Sequence, residues 1–236
     1  MSHLILIRHG QSIWNLENRF TGWVDVELSP KGKEEAKKAG TLIKKFDFKI
    51  NSFYTSYLRR AIDTLKIILK ENKLEDTKIT KAWELNERHY GSLTGLNKDE
   101  MKNELSAEKV HELRRSWDKH PDKLKEDSPY HPLNNHIYKD IPRSYIPDTE
   151  SLQDTYERVI PYYEKSIKSN VKNNALISAH GNSIRALCKY LFNLDNQVIS
   201  KLEIPTGNPL KLDFKDGKVI AAEYLDQTRS KDLIIF

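Results

Sequence analysis

The chain has 236 residues, 38% hydrophobic and 31% charged, enough for one substantial core in a single domain spanning residues 1–236. No uninterrupted apolar stretch approaches membrane-spanning length, so no membrane partner is expected. The net charge of +5 comes from 39 basic and 34 acidic residues that are interspersed; with no basic block to bind nucleic acid, any anion specificity has to come from placement.

The opening residues lack a secretory leader's pattern, because Arg8 and His9 interrupt the apolar run, and the single cysteine, Cys188, cannot close an internal disulfide. Both features predict a cytoplasmic protein. Residues 4–7 read as a short buried strand. Ser29 then caps a helix with Pro30 at its first position, and Ala36, Ala39, Gly40 and Ile43 form the inner face. "INSFYTS" predicts a second strand, followed by a helix capped by Ser56 with Leu58, Ala61, Ile62 and Leu65 at helical spacing. "ALISA" and "SIRALCKYLF" repeat the pattern, with Ile184, Leu187, Cys188 and Leu191 on one stripe. "PLKLDF" and "KVIAAEYL" predict a terminal hairpin across residues 215–217. This alternation predicts an α/β fold, a mostly parallel central sheet flanked by helices. Between Trp117 and Ser151 five prolines, Pro121, Pro129, Pro132, Pro142 and Pro147, exclude long regular elements and predict a loop-rich insertion over the active site.

The chemistry concentrates where two predicted strands end. "LILIRHGQS" delivers Arg8, His9 and Gly10, and "ALISAHGNS" delivers His180 and Gly181. In open α/β sheets ligands collect beyond the carboxyl ends of strands, where helix N-termini present free N–H groups that suit anions. The two glycines predict close approach of a ligand to the main chain. A guanidinium beside His9 matches phosphate geometry and favours the neutral imidazole, leaving a nitrogen lone pair for attack on phosphorus. No Cys, Asp or Glu stands at metal-ligand spacing from His9 and His180, and His120, His131 and His136 also lack such a pattern, so no metal is expected.

The stretches "IRHGQSIWNLENRFTGW", "YTSYLRRAIDTL", "WELNERHYGSLTGLNK", "ELRRSW", "ISAHGNSIRAL" and "EIPTGNPL" carry a nearly end-to-end resemblance. The sequence resembles the cofactor-dependent phosphoglycerate mutases of the histidine phosphatase superfamily. The resemblance implies a phosphoglycerate mutase-like fold and interconversion of 3-phosphoglycerate and 2-phosphoglycerate through a phosphohistidine, with 2,3-bisphosphoglycerate as the priming phosphoryl donor. By position it makes His9 the nucleophile, clamped by Arg8, Arg60 and His180, with Glu87 as proton donor and acceptor. It implies substrate binding by Ser12, Asn15, Thr21, Gly22, Arg88, Tyr90, Lys98, Arg114, Arg115, Gly181 and Asn182. It also implies small-molecule phosphoglycerates as partners and a homo-oligomer, a dimer or higher. After "EYL" only "DQTRSKDLIIF" remains, shorter than the mobile tail of many such relatives, which predicts a reduced cover for the phosphohistidine. Two other readings stay open at this level: a histidine phosphatase that hydrolyses a small phosphomonoester, and a non-catalytic phosphoanion-binding module.

Overall fold

A computed structural model describes residues 1–230. Residues 231–236 lie outside it, and with them most of the short ending on which the tail expectation rests. In chain order the elements are β1 (Ser2–Arg8), α1 (Ile13–Leu16), α2 (Pro30–Ile43), β2 (Ser52–Thr55), α3 (Arg59–Glu71), β3 (Ile79–Lys81), α4 (Lys98–Leu105) and α5 (Ala107–Arg115). They continue as α6 (Leu152–Tyr162), a π-helical turn, α7 (Lys168–Val171), β4 (Ala175–Ala179), α8 (Gly181–Leu191), α9 (Asn196–Lys201), β5 (Leu210–Lys215) and β6 (Lys218–Tyr224). The six strands form one sheet in the order β3-β2-β4-β1-β5-β6. β3, β2, β4 and β1 run parallel, and β5 and β6 add an antiparallel hairpin. β3 is three residues long and too short to stand out as a pattern in the sequence.

Alternation along β1 divides the core between the two faces of the sheet. Leu4 and Leu6 join Tyr54, Ile177, Val159 and Leu187, beneath α6 and α8. Ile5 and Ile7 join Phe53, Leu176, Ala39 and Leu65, beneath α2 and α3. Where both faces are covered, residues 4–7 of β1 and the whole of β4, the sequence is apolar except for Ser178, as burial on both sides requires.

Ser29 caps α2 as expected, its side chain accepting the Gly32 N–H, with Pro30 beginning the helix. Ser56 does not cap α3. Leu58 occupies that position without a side-chain bond, and the Ser56 hydroxyl is engaged with His180 instead. Residues 117–151 hold three short 3-10 turns and no longer element. The insertion flanks the site, seating Tyr138 and Ile146 beside Trp23 and Leu58.

Strand register is what assembles the site. Arg8 pairs with Ala179 and Thr55 with Ser178, so β1, β4 and β2 end almost level. The residues that follow, His9, His180 and Ser56, therefore emerge side by side at the carboxyl edge of the sheet.

Candidate active site

His9 follows β1 directly, and its N–H donates to the Ala179 carbonyl. Its ring Nδ1 lies 2.7 Å from the Gly10 carbonyl, which can only accept, so Nδ1 carries the proton and Nε2 keeps the lone pair. Arg60 Nε–H points at that Nε2 from 3.3 Å. Burial first, then the charges of Arg60 and Arg8, hold His9 well below the usual imidazole range. The ring is neutral and oriented before any ligand arrives.

His180 stands across from it, with ring centroids 5.0 Å apart and planes tilted by 60°. Ser56 Oγ accepts the Leu58 N–H and lies 2.7 Å from His180 Nε2. The arrangement that satisfies both groups has Ser56 donating its hydroxyl proton to Nε2, which places the His180 proton on Nδ1. That nitrogen is buried without a partner. Burial, then Arg60 and His9, keep His180 neutral as well.

Arg60, at the start of α3, is bracketed from the opposite side. Its Nη1 donates to the Val24 carbonyl and its Nη2 to the Gly22 carbonyl, both at 2.8 Å. Gly22 adopts φ +55°, and a Cβ there would crowd the Tyr90 nitrogen at 3.2 Å. Burial lowers the Arg60 guanidinium to about 10. Arg59, one position earlier, is half exposed and pairs with Asp25 and Glu27.

Beside this centre opens a cleft walled by Arg8, Glu87, Tyr90, Arg114, Arg115, Gly181, Asn182, Arg185, Glu203 and Ile204. Four arginines, Arg8, Arg114, Arg115 and Arg185, stand against two carboxylates, Glu87 and Glu203, so the wall carries an excess of positive charge that selects anions. Arg8 donates through Nη1 to the Ile204 carbonyl, while its Nε is buried without a partner; burial lowers its affinity for its proton. Glu87 Oε1 accepts from the N–H of Arg88 and from both nitrogens of Asn182. Gly181 leaves open space: a Cβ there would stand 3.7 Å from Arg8 Nε and from Glu87 Oε2.

The family model described as the histidine phosphatase superfamily (branch 1) matches residues 4–131 and 123–227. A 2,3-bisphosphoglycerate-dependent phosphoglycerate mutase of Pelagibacter ubique is 60% identical over 240 residues, covering 100% of each chain. One from Maricaulis maris is 45% identical over 99% of this chain and 98% of its own. The chain belongs to the histidine phosphatase superfamily, in its phosphoglycerate mutase family. Among solved structures, a phosphoglycerate mutase from Bacillus anthracis shares the fold with a TM-score of 0.68 at 24% identity, covering 94% of this chain and 92% of its own.

In this member of the phosphoglycerate mutase family, His9, Arg8, Arg60, His180 and Glu87 converge, and Tyr90, Arg114, Arg115, Gly181 and Asn182 line the adjoining cleft. The other expected binding residues are placed differently. Ser12 and Asn15 satisfy each other's backbone N–H as the cap of α1. Thr21 is buried with its hydroxyl unpartnered. Lys98 donates to the Arg19 carbonyl at 2.6 Å, and burial, with Arg114 and Arg8 near, lowers it to about 8. Arg88 turns away from the cleft and donates to the carbonyls of Glu150, Leu113 and Lys119. It thereby anchors the last turn of α5, which carries Arg114 and Arg115.

Gly10 serves packing, not ligand approach. A Cβ there would lie 2.1 Å from the Gly32 carbonyl oxygen, so the bare backbone lets the loop seat on the first turn of α2. Two site residues escape a reading by motif. Ser56 resembles an ordinary helix cap. Arg185 sits among buried apolar neighbours one turn beyond Asn182, and that charged residue on a buried stripe was the available signal.

Proposed function

We propose that this chain interconverts 3-phosphoglycerate and 2-phosphoglycerate through a phosphoryl group carried on His9 Nε2. The observation that carries the reading is the orientation of His9: its proton is committed to Gly10, and its lone pair is directed into a site flanked by Arg60 and His180. The full-length relatives that are phosphoglycerate mutases support the choice of substrate.

In this reading Nε2 attacks phosphorus, the N–P bond forms as the O–P bond breaks, and Glu87 gives a proton to the leaving oxygen. The return transfer reverses each step. Arg8, Arg60 and the Nδ1–H of His180 hold the charge that develops on the phosphoryl oxygens, which is the largest contribution a fixed site makes to this class of reaction. 2,3-Bisphosphoglycerate, when bound, supplies the priming phosphoryl group. The residues present suit it: buried, unpartnered donors on Arg8 and His180, with Arg114 and Arg115 in the cleft wall, match a ligand with several anionic groups. His9 is 2% exposed and His180 fully buried, which limits hydrolysis of the phosphohistidine.

The test is to follow 3-phosphoglycerate with purified protein, with and without 2,3-bisphosphoglycerate. The expected product is 2-phosphoglycerate, formed faster with the bisphosphate. Free phosphate as the dominant product contradicts the reading.

A further inference from the structure

Arg185 lies in α8 with its guanidinium buried among groups of the cleft wall. Its Nη1 donates to Asn182 Oδ1 at 3.0 Å and its Nη2 to the Ile199 carbonyl at 2.5 Å. We propose that Arg185 is a positioning residue that fixes the Asn182 amide and thereby decides which oxygen of Glu87 exchanges the substrate proton. This rests on the reading of Glu87 as the proton carrier.

A guanidinium has donors and no acceptor, so Asn182 must present its oxygen to Arg185. The amide nitrogen is then turned the other way, where it donates to Glu87 Oε1 at 3.0 Å and to the Tyr90 hydroxyl at 3.1 Å. Oε1 also accepts the backbone N–H of Asn182 at 3.1 Å and of Arg88 at 2.8 Å. Three N–H donors occupy that oxygen, and a proton placed there would displace one of them. Proton exchange therefore falls to Oε2, the oxygen nearest the space that Gly181 leaves open. Without Arg185 the amide loses the donor that fixes its oxygen, and only Glu87 Oε1 and the Tyr90 hydroxyl are left to oppose its rotation by half a turn. Its oxygen would then oppose Oε1, and the carboxyl would lose the bond that orients it. The bond to Ile199, which is fully buried ahead of β5, makes the guanidinium a rigid reference.

The experiment is a double-mutant cycle on isomerisation of 3-phosphoglycerate in the presence of 2,3-bisphosphoglycerate, with kcat and KM measured for Arg185→Met, Asn182→Ala and the double variant. Arg185→Met is expected to lower kcat by about tenfold or more, with a smaller change in KM. The double variant is expected within about twofold of the worse single variant, because both substitutions break the same chain of contacts. Multiplied losses would overturn the proposal. Arg185→Lys keeps the charge without the fork and is expected to stay impaired; wild-type kcat in that variant would also overturn it. Should Arg185→Met fail to fold, Asn182→Asp leaves Arg185 in place and sets a carboxylate oxygen against Oε1. Its kcat is expected below that of Asn182→Ala, and an equal or higher value contradicts the proposal. Glu87→Gln separates the two readings: wild-type turnover in that variant removes Glu87 as proton carrier, whatever the coupling between Arg185 and Asn182.

Discussion

The imidazoles of His9 and His180 face each other with centroids 5.0 Å apart, although 171 positions separate them in the chain. Parallel pairing of β1 with β4, with Arg8 opposite Ala179, puts the next residue of each strand at the same level. Both rings are neutral and buried, with Arg60 directed at one of them and Ser56 at the other. A phosphorus bonded to His9 Nε2 would meet donors already in position.

Arg60 and Arg59 are adjacent and should behave very differently. Arg60 is buried and donates to His9, Gly22 and Val24, whereas the Arg59 side chain makes two surface ion pairs of the kind worth about 0–1 kcal/mol. Arg60→Ala is expected to lower kcat by about 10²–10³, the cost of losing one preorganised donor. Arg59→Ala should remain within about threefold of wild type by steady-state kinetics. The reverse ranking would contradict the placement of Arg60.

Acid should destabilise the fold at mild pH. His9 and His180 are held well below the usual imidazole range by burial, and His89, also chiefly by burial, is lowered to about 3. Below about pH 6.5 the unfolded chain binds protons that the folded chain refuses, so stability is complete above that value and falls as the pH falls. Each histidine contributes up to about 1.4 kcal/mol per pH unit in this window. Urea unfolding between pH 7 and pH 5 should show the decline, and His89→Gln should flatten it. A stability independent of pH across this range would contradict the burial of these rings in neutral form.

Gly10 and Gly181 follow the two histidines and should respond oppositely to alanine. At Gly10 a methyl group meets backbone of Gly32 at 2.1 Å, so Gly10→Ala should lose at least about 2 kcal/mol in thermal or urea unfolding. At Gly181 the nearest atoms are 3.7 Å away and the position opens α8, so Gly181→Ala should melt close to wild type. Its methyl group enters the cleft between Arg8 and Glu87, and KM for 3-phosphoglycerate should rise severalfold. Equal effects of the two substitutions on stability would contradict the packing described for Gly10.

Glu203 occupies an arginine that faces the cleft. Its carboxylate lies 2.6 Å from Arg115 Nη2 and is partly exposed, so an anionic substrate that uses Arg115 has to displace it. Glu203→Gln removes that competition and should lower KM for 3-phosphoglycerate about two- to fivefold, with less change in kcat. An increase in KM would show that the pair holds Arg115 in its binding orientation.

The sequence made the centre readable because strand ends and short motifs are local. Arg8 with His9 and His180 with Gly181 each follow an apolar run, whereas Arg60 is told from Arg59 by the family resemblance, as the arginine directly before Ala61, and not by the apolar stripe of α3. What could not be read depended on contacts distant in the chain. Ser56 has the composition of a cap, and only the pairing of β2 with β4 shows that it serves His180. Gly10 looks like a glycine that admits a ligand until Gly32 is seen against it. Arg88 shares a motif with Glu87 and Tyr90, yet its partners are carbonyls of residues 113, 119 and 150. The insertion was legible as irregular from its prolines, but not where it packs, since Tyr138 reaches back to the Trp23 carbonyl.

The most direct test of the account is the site of covalent phosphorylation. Protein mixed with 2,3-bisphosphoglycerate, quenched in alkali and mapped by mass spectrometry should carry one acid-labile phosphoryl group on His9, and His9→Ala should carry none. A phosphoryl group on any other residue, or an undiminished label in His9→Ala, would contradict it.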